Sequence, residues 1–195
     1  MSKGLNSLLR EIKDCRLCEE HLALGPRPVL QAHPKASILI VGQAPGRKVH
    51  ETGIPFNDPS GVRLRSWLGI DEKIFYDAKK IALLPMGFCY PGTGKSGDLP
   101  PRPECAEAWR EKLLARLPNI HLTLIIGQYA QKYHLGKQQK KTLTETVKTW
   151  RHYWKDGVIP LPHPSPRNNI WLRKNAWFEK DVLPTLKARV QALVN

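Results

Sequence analysis

Four cysteines are the residues of this 195-residue chain whose type and spacing point most directly to chemistry. Cys15 and Cys18 form a C-x-x-C pair, Cys89 follows far downstream, and Cys105 lies sixteen residues beyond Cys89. No other cysteine is present in the sequence. Four thiolates around one centre fit either a cubane iron–sulfur cluster or a structural zinc ion. The spacing therefore predicts a metal centre.

Two polar loops are the other candidates for a functional site. One is Gly42–Gly46 (Gly-Gln-Ala-Pro-Gly), and the other is His163–Asn169 (His-Pro-Ser-Pro-Arg-Asn-Asn). Alternating prolines stiffen the second loop, and a rigid polar segment that carries an arginine suits insertion into nucleic acid. Either loop alone is weak evidence, because glycine turns after strands are common and a lone histidine more often packs or caps.

The charge balance indicates the kind of partner. The chain has 31 Lys and Arg against 17 Asp and Glu, a net charge of +14. A field of this sign favours contact with a polyanion, and nucleic acid is a better interpretation than mere solubility. The cations cluster with aromatic residues at 132–148 and 167–174, a pattern that suits a surface contacting phosphates and bases.

No apolar run is long enough to cross a bilayer, and Met1–Arg10 lacks the apolar core of a secretory signal. We therefore expect a cytoplasmic protein with no membrane partner. Thiols stay reduced in the cytoplasm, where they more often hold metal than form disulfides.

The elements that must position these residues alternate along the chain. Short apolar runs predict buried strands at Ser37–Val41, Lys80–Leu84, Leu122–Ile126 and Gly157–Leu161. Helical patterns cover Leu5–Lys13, Val62–Leu68, Glu104–Leu117, a segment from Gln128, and Phe178–Val194, while Pro91–Pro103 is predicted as a long loop. This alternation predicts a single domain over residues 1–195 with a three-layer α/β/α fold and a central, mostly parallel four-stranded sheet. Both polar loops then follow strands, where α/β sheets bind ligands.

In combination, these features resemble the uracil-DNA glycosylase superfamily, and in particular its iron–sulfur-containing family 4 branch. Gly42–Gly46 stands where that branch has Gly-Glu-Ala-Pro-Gly, Gly53–Phe56 matches a Gly-x-Pro-Phe stretch, and His163–Ser165 matches the His-Pro-Ser motif. The four cysteines reproduce the branch's spacing. The resemblance covers most of the chain, from Cys15 to about Asn169.

The resemblance implies a monomeric DNA repair enzyme of the base excision class that removes uracil or a related deaminated base from DNA by base flipping. It also favours a [4Fe–4S] cluster with a structural role over the alternative of a structural zinc ion, since zinc ribbons usually carry two close C-x-x-C pairs.

It further implies a set of site residues. His163 would stabilise the departing base, Phe56 would stack on it, and backbone amides in the loop after the first strand would read its edge. Arg167, with Asn168 or Asn169, would fill the space left in the duplex. The substrate-binding residues are then Gly42, Gln43, Ala44, Phe56, His163, Ser165, Arg167 and Asn168.

Two positions depart from the family pattern. Gln43 replaces a glutamate among the catalytic positions, and glutamine cannot act as a base. The nearest carboxylate is Asp58, which is either the residue that orients water or stabilises the sugar cation, or a turn and N-cap residue before the helix at Val62. Pro85 replaces an asparagine that reads the edge of uracil, so strict selectivity for uracil is not implied.

Two alternatives stay open from the sequence. One is a catalytically inactive iron–sulfur protein of the same fold that binds nucleic acid. The other is a nucleotidase, because Gly94-Lys95-Ser96 resembles the end of a P-loop. Cys89 occupies the position of the glycine that a P-loop needs, and no helix is predicted directly after Ser96. The second alternative is therefore disfavoured.

Overall fold

A parallel four-stranded sheet lies at the centre of the computed structural model, which describes residues 4–95 and 97–195. The strands in chain order are β1 (Ile38–Val41), β2 (Ile81–Leu83), β3 (Thr93–Gly94), β4 (Gly97–Asp98), β5 (Leu122–Ile126) and β6 (Val158–Leu161). The central sheet has the order β2-β1-β5-β6, and its neighbouring strands pair in parallel. The predicted α/β architecture with four central strands is therefore confirmed.

Both faces of the sheet are buried. Successive side chains of a strand point to opposite faces, so Ile38 and Ile40 join one apolar core and Leu39 and Val41 join the other. This is why the strands read as continuous apolar runs instead of alternating ones. Pro160 is accommodated in β6 because that strand lies at an edge of the sheet, where proline's missing N–H is tolerated.

Helices cover both faces. They are α1 (Leu5–Lys13), α2 (Arg47–Thr52), α3 (Pro59–Leu68), α4 (Glu72–Phe75), α5 (Pro103–Leu114), α6 (Gly127–Leu135), α7 (Leu143–Lys148), α8 (Trp150–Trp154), α9 (Asn169–Lys174) and α10 (Leu183–Val194). α3 and α10 pack with the core of Ile38, whereas α1, α5 and α6 pack with the core of Leu39. No helix within the described ranges has the length and apolar character needed to cross a membrane.

The predicted elements recur with some ends shifted. α1 and β5 match their predicted bounds, while α3 begins before Val62 and α5 ends before Leu117. The predicted C-terminal helix is a π-helical turn, Phe178–Val182, followed by α10. The sequence pattern does not predict α2, α4, α7, α8 and α9, because helices of four to six residues are too short to show a periodic apolar stripe.

The segment predicted as a loop over Pro91–Pro103 contains a small hairpin. β3 and β4 pair antiparallel, with Thr93 opposite Asp98 and Gly94 opposite Gly97. Ser96 lies outside the described residues. In the described part of this segment no helix begins before Pro103, so the helix that a P-loop requires does not follow Lys95.

The strand order places the functional loops together. β1 connects to β2 on one side, whereas β5 and β6 extend the sheet on the other, so a switch in connection direction lies between β1 and β5. In open α/β sheets a crevice forms at such a point, outside the carboxyl ends of the strands. The loops after β1, β2 and β6 meet at this edge.

Candidate active site

A cleft of about 620 Å³ opens at the carboxyl edge of the sheet. The proposed catalytic and substrate-binding residues line it: Gly42, Gln43, Ala44, Phe56, Asp58, His163, Ser165, Arg167 and Asn168. Asn169, the alternative to Asn168 for filling the duplex, does not line the cleft, and its Oδ1 accepts a hydrogen bond from Arg63. Pro85, Asp98 and Pro166 line the same cleft. The structure therefore brings together residues from the segments after β1, β2 and β6 and from the hairpin.

The loop after β1 presents backbone N–H groups. The carbonyl oxygens of Gly42 and Gln43 accept hydrogen bonds from the N–H groups of Met86 (2.9 Å) and Gly87 (3.0 Å). Within the described residues, the N–H groups of Gln43 and Ala44 donate to no protein acceptor. Two backbone donors thus remain available to a ligand, since an amide that bonds nothing in the protein must find another partner.

Phe56 forms a wall of the cleft in a constrained conformation. Its φ of 54° lies in the left-handed region, which is uncommon for a bulky residue. The ring stands over Gly42, where an added Cβ would lie 3.3 Å from Phe56 Cζ. Behind it, Phe75 packs edge-on at 6.0 Å between ring centroids, and Tyr76 donates its hydroxyl to the Pro55 carbonyl at 3.0 Å. The ring is therefore held from several sides.

His163 is oriented by its own loop. The backbone N–H of Ser165 donates to His163 Nδ1 at 3.2 Å, and the Asn168 side chain donates to the His163 carbonyl at 2.7 Å. Burial lowers the pKa of His163, while Asp58 and Asp98 act in the opposite direction. A neutral ring whose Nδ1 accepts carries its proton on Nε2. His163 is therefore a hydrogen-bond donor through Nε2.

Arg63 fastens this loop to α3. Its guanidinium donates to the Ser165 carbonyl at 3.0 Å and to Asn169 Oδ1 at 2.7 Å. Sequence reasoning missed Arg63, and no local signal identifies it, because its partners lie more than a hundred positions away in the chain.

Asp58 has a clear structural role in addition to its place in the cleft. It is the N-cap of α3, and its Oδ1 accepts a hydrogen bond from the Gly61 N–H at 2.8 Å. Of the two sequence interpretations, the N-cap is thus observed, while a part in the reaction stays a prediction.

Substitution of Asp58 tests its role as the N-cap of α3. We expect Asp58→Ala to lower the free energy of unfolding by about 0.5–2 kcal/mol, whereas Asp58→Asn keeps it, because asparagine caps helices as well as aspartate does. Asp71→Ala is the matched control, since Asp71 caps α4 outside the cleft with a bond of 2.8 Å to the Ile74 N–H. Chemical denaturation of the variants measures the difference. An Asp58→Asn protein as unstable as Asp58→Ala would contradict the capping role.

The hairpin closes one side of the cleft and brings in Asp98, a carboxylate that sequence reasoning missed. Gln43 Nε2 donates to the Leu99 carbonyl at 3.4 Å, and a Cβ on Gly97 would lie 2.5 Å from Arg167 Nη1. The pKa of Asp98 is raised by partial burial, an effect that Arg167 and His163 oppose and Asp58 reinforces. Asp98 was not recognisable from the sequence, because it lies in a Pro/Gly-rich segment without a periodic pattern.

The floor near Pro85 is held by a buried arginine. Arg110 of α5 is 1% exposed, and its Nη2 donates to the Leu84 carbonyl at 3.0 Å and also to the Pro85 carbonyl. Burial lowers the pKa of Arg110 to about 10, so it stays cationic near neutral pH. The Pro85 carbonyl is therefore already hydrogen-bonded within the protein, and the proline ring offers no polar group of its own.

The four cysteines line a second, narrow cavity between α1, α5 and the segment after β2. All four are free thiols. Trp109 Nε1 donates to Cys15 Sγ at 3.4 Å, and the Phe88 N–H donates to Cys105 Sγ at 3.3 Å. Across the described ranges no group of three or more His, Cys, Asp or Glu side chains is arranged to hold a single metal ion.

Burial makes these thiols hard to ionise without a nearby positive charge. It raises the pKa of Cys105 to about 12 and that of Cys89 to about 11, with neighbouring cysteines acting in the same direction. A metal centre stabilises thiolates directly, so a buried four-thiol set is chemically suited to one.

Comparison with known proteins identifies similar sequences. The family model described as the Uracil DNA glycosylase superfamily matches residues 30–187. Three curated proteins, each named type-4 uracil-DNA glycosylase, are similar to the chain. The Archaeoglobus fulgidus protein is 27% identical over 67% of this chain, the Sulfurisphaera tokodaii protein 23% over 83%, and the Thermotoga maritima protein 28% over 79%.

These alignments cover different shares of the relatives. The matched region spans 63% of the Archaeoglobus protein, less than two thirds of its length, 74% of the Sulfurisphaera protein and 78% of the Thermotoga protein.

Proposed function

The chain belongs to the uracil DNA glycosylase superfamily, and from this premise we propose that it hydrolyses the N-glycosidic bond of uracil, or of a related deaminated base, in DNA. The similarity to three type-4 uracil-DNA glycosylases supports this activity. The main structural support is the hydrogen bond that the Ser165 N–H donates to His163 Nδ1. This bond leaves the Nε2–H of His163 as a donor inside the cleft, which Phe56 also lines.

Substrate binding begins with the DNA backbone. A net charge of +14 attracts the polyanion, and the target nucleotide must then leave the base stack, at a cost of a few kcal/mol. In the cleft the flipped base stacks on Phe56. The free N–H groups of Gln43 and Ala44 face its polar edge, and Arg167 with Asn168 fills the space left in the duplex.

Bond cleavage develops negative charge on the base and positive charge on the sugar. His163 donates from Nε2 to a carbonyl oxygen of the departing base, which stabilises the negative charge as an oxyanion hole does. Asp58, whose carboxylate lies in the same cleft, contributes negative potential toward the sugar cation.

The choice among bases depends on the floor of the cleft near Pro85. A proline ring recognises shape and has no side-chain donor or acceptor, and the Pro85 carbonyl is already bonded to Arg110. The floor therefore discriminates weakly among bases that differ on the edge facing it. The wrong base leaves no polar group of the floor without a partner. This supports a substrate class of deaminated bases that includes uracil.

Base release from a uracil-containing oligonucleotide, read as strand cleavage after alkali, tests the function. Oligonucleotides with cytosine or thymine at the same position are the controls. Cleavage confined to the uracil strand supports the proposal. Tight binding without release would instead favour the inactive nucleic-acid-binding protein, an alternative to which Gln43 and Pro85 point.

We infer that the four cysteines hold a [4Fe–4S] cluster, with a structural zinc ion as the alternative. The fit rests on four free thiols around one cavity and on two N–H groups that donate to sulfur, an arrangement that suits cluster ligands. When bound, such a cluster supplies a covalent cross-link between the segment after α1, α5 and the segment after β2.

Cys105→Ser should remove one ligand of this centre. We expect less iron and sulfide per chain and a fall in Tm of about 10 °C or more, since metal binding contributes to folding and 1 kcal/mol shifts Tm by about 2–4 °C at this size. Ala106→Ser, the next residue on α5, is the control. Metal and sulfide analysis with thermal unfolding decides the result: zinc in place of iron would support the alternative, and unchanged metal content in Cys105→Ser would contradict the assignment of Cys105.

A further inference from the structure

The cleft contains a second carboxylate besides Asp58, on β4 of the small hairpin. We propose that Asp98 is a catalytic residue that orients and deprotonates the water that attacks the sugar; this inference rests on the proposed glycosylase function. The role needs a carboxylate near the donor His163 with a free oxygen, and Asp98 meets both conditions.

Two hydrogen bonds of the next residue, Leu99, hold the end of β4 that carries Asp98. The Leu99 N–H donates to the Gly92 carbonyl at 2.8 Å, and the Leu99 carbonyl accepts from Gln43 Nε2 at 3.4 Å. Asp98 Oδ2 lies 3.4 Å from the point where a Cβ on Gly46 would be. The carboxylate is therefore placed against the end of the loop after β1, at the cleft's edge.

The groups around Asp98 favour a carboxylate that can accept a proton. The charged or titratable groups near it are Arg167, His163 and Asp58. Asp98 is an exposed residue by surface area, yet partial burial of its carboxyl raises its pKa above that of an ordinary aspartate; Arg167 and His163 oppose this rise and Asp58 adds to it. Within the described residues no hydrogen bond acts on the Asp98 carboxylate, so its oxygens are available to a water molecule.

The other acidic or amide groups in the cleft suit this step less well. Asp58 Oδ1 is engaged as the N-cap of α3 through the Gly61 N–H. Gln43 carries an amide, which cannot take a proton from water, and its Nε2 is bonded to the Leu99 carbonyl. A general base must have an unoccupied oxygen, and of the two carboxylates described in the cleft Asp98 is the one with neither oxygen engaged in a hydrogen bond.

The bond between the sugar C1′ and the base nitrogen breaks, and its electron pair leaves with the base. A lone pair on the water oxygen forms the new bond to C1′, and a proton of that water passes to the Asp98 carboxylate. The products are an abasic sugar with a hydroxyl group and the base anion, which His163 stabilises before Asp98 or solvent returns the proton.

Single-turnover base release by Asp98→Asn tests the assignment. We expect the rate of release to fall by about 100-fold or more, because general base catalysis contributes about 100- to 10,000-fold. The Kd for a uracil-containing oligonucleotide, measured by fluorescence anisotropy, should stay within about threefold of the unmodified protein. Asp156→Asn is the matched control, since it removes the same charge from an exposed residue beside β6, outside the cleft.

The outcomes separate this inference from the proposed function. Asp98→Asn that releases uracil at a rate close to that of the unmodified protein would overturn the role of Asp98 and leave the function intact. A loss of rate matched by an equal loss of binding would also overturn it, because Asp98 would then act in binding. Failure of the unmodified protein to release any base overturns the function itself. Partial activity in Asp98→Glu, which keeps the carboxylate, supports the assignment.

Discussion

Replacing His163 with alanine is expected to slow uracil release by about 100- to 1,000-fold, the usual cost of removing one donor that stabilises a developing anion. The ring is neutral because burial lowers its pKa, and Nδ1 accepts the Ser165 N–H at 3.2 Å, so the proton sits on Nε2. Alanine removes that donor and leaves Phe56 and the backbone amides to bind the base. The loss should therefore appear in the chemical step more than in DNA binding.

A matched control exists elsewhere in the chain. His33 also precedes a proline, and its Nδ1 accepts the Lys35 N–H at 3.1 Å, but it lies outside the cleft. His33→Ala should therefore release uracil at the normal rate. Single-turnover base release measures both variants. If His163→Ala were as active as His33→Ala, the proposed donor role of His163 would be wrong.

The same geometry determines how the stability of the protein changes with pH. Protonation of His163 would place a second proton on Nδ1, against the Ser165 N–H that it now accepts. Because the pKa of His163 is lowered, this happens below the ordinary histidine value of about 6.5. The neutral ring, and the stability it contributes, is thus present above that pH and is lost as the pH falls through the lowered pKa. His163→Ala should lack this contribution.

The second large effect is expected from Gly61→Ala in the first turn of α3. An added Cβ would lie 1.7 Å from the Phe56 carbonyl oxygen and 2.7 Å from its carbonyl carbon. Both are backbone atoms, so relief requires moving Phe56, whose φ of 54° is already constrained. We expect the free energy of unfolding to fall by about 3 kcal/mol or more, the range of substitutions that strain a packed backbone.

This prediction runs against intrinsic helix propensity, which favours alanine over glycine by about 1 kcal/mol inside a helix. The fall should lower Tm by about 6–12 °C in a chain of this size. Base release should also weaken, because Phe56 is displaced from the cleft. Gly4→Ala is the control, since nothing lies within 4 Å of the Cβ it would add. If Gly61→Ala unfolded at the same Tm as Gly4→Ala, the clash would be relieved without a loss of stability, and the prediction would be wrong.

Gly61 illustrates what local sequence does not reveal. Its requirement comes from the Phe56 carbonyl that lies against it, whereas Asp-Pro-Ser-Gly read alone is ordinary turn chemistry. Asp58 is similar: its capping role was predictable from the sequence, but its proximity to His163 depends on how the loop after β6 folds back over α3. The Arg63 side chain holds that loop through the Ser165 carbonyl and the Asn169 side chain.

The sequence by itself determined the elements and motifs whose signals are local. Continuous apolar runs identified the four central strands, because strands buried on both faces need apolar side chains at every position. The Gly42–Gly46 and His163–Asn169 loops and the cysteine spacing indicated the family, which the match over residues 30–187 establishes.

Only the tertiary structure decided which charged groups share the cleft. Asp98 reaches it from a hairpin without a recognisable pattern, Arg63 of α3 holds the loop of His163 that lines it, and Arg110 engages the Pro85 carbonyl from within α5. Each of these contacts joins residues distant in the chain, and the pKa of each buried group depends on how much solvent the surrounding elements exclude. Local sequence encodes propensity and periodicity, whereas proximity and burial arise only when the sheet, helices and loops have packed together.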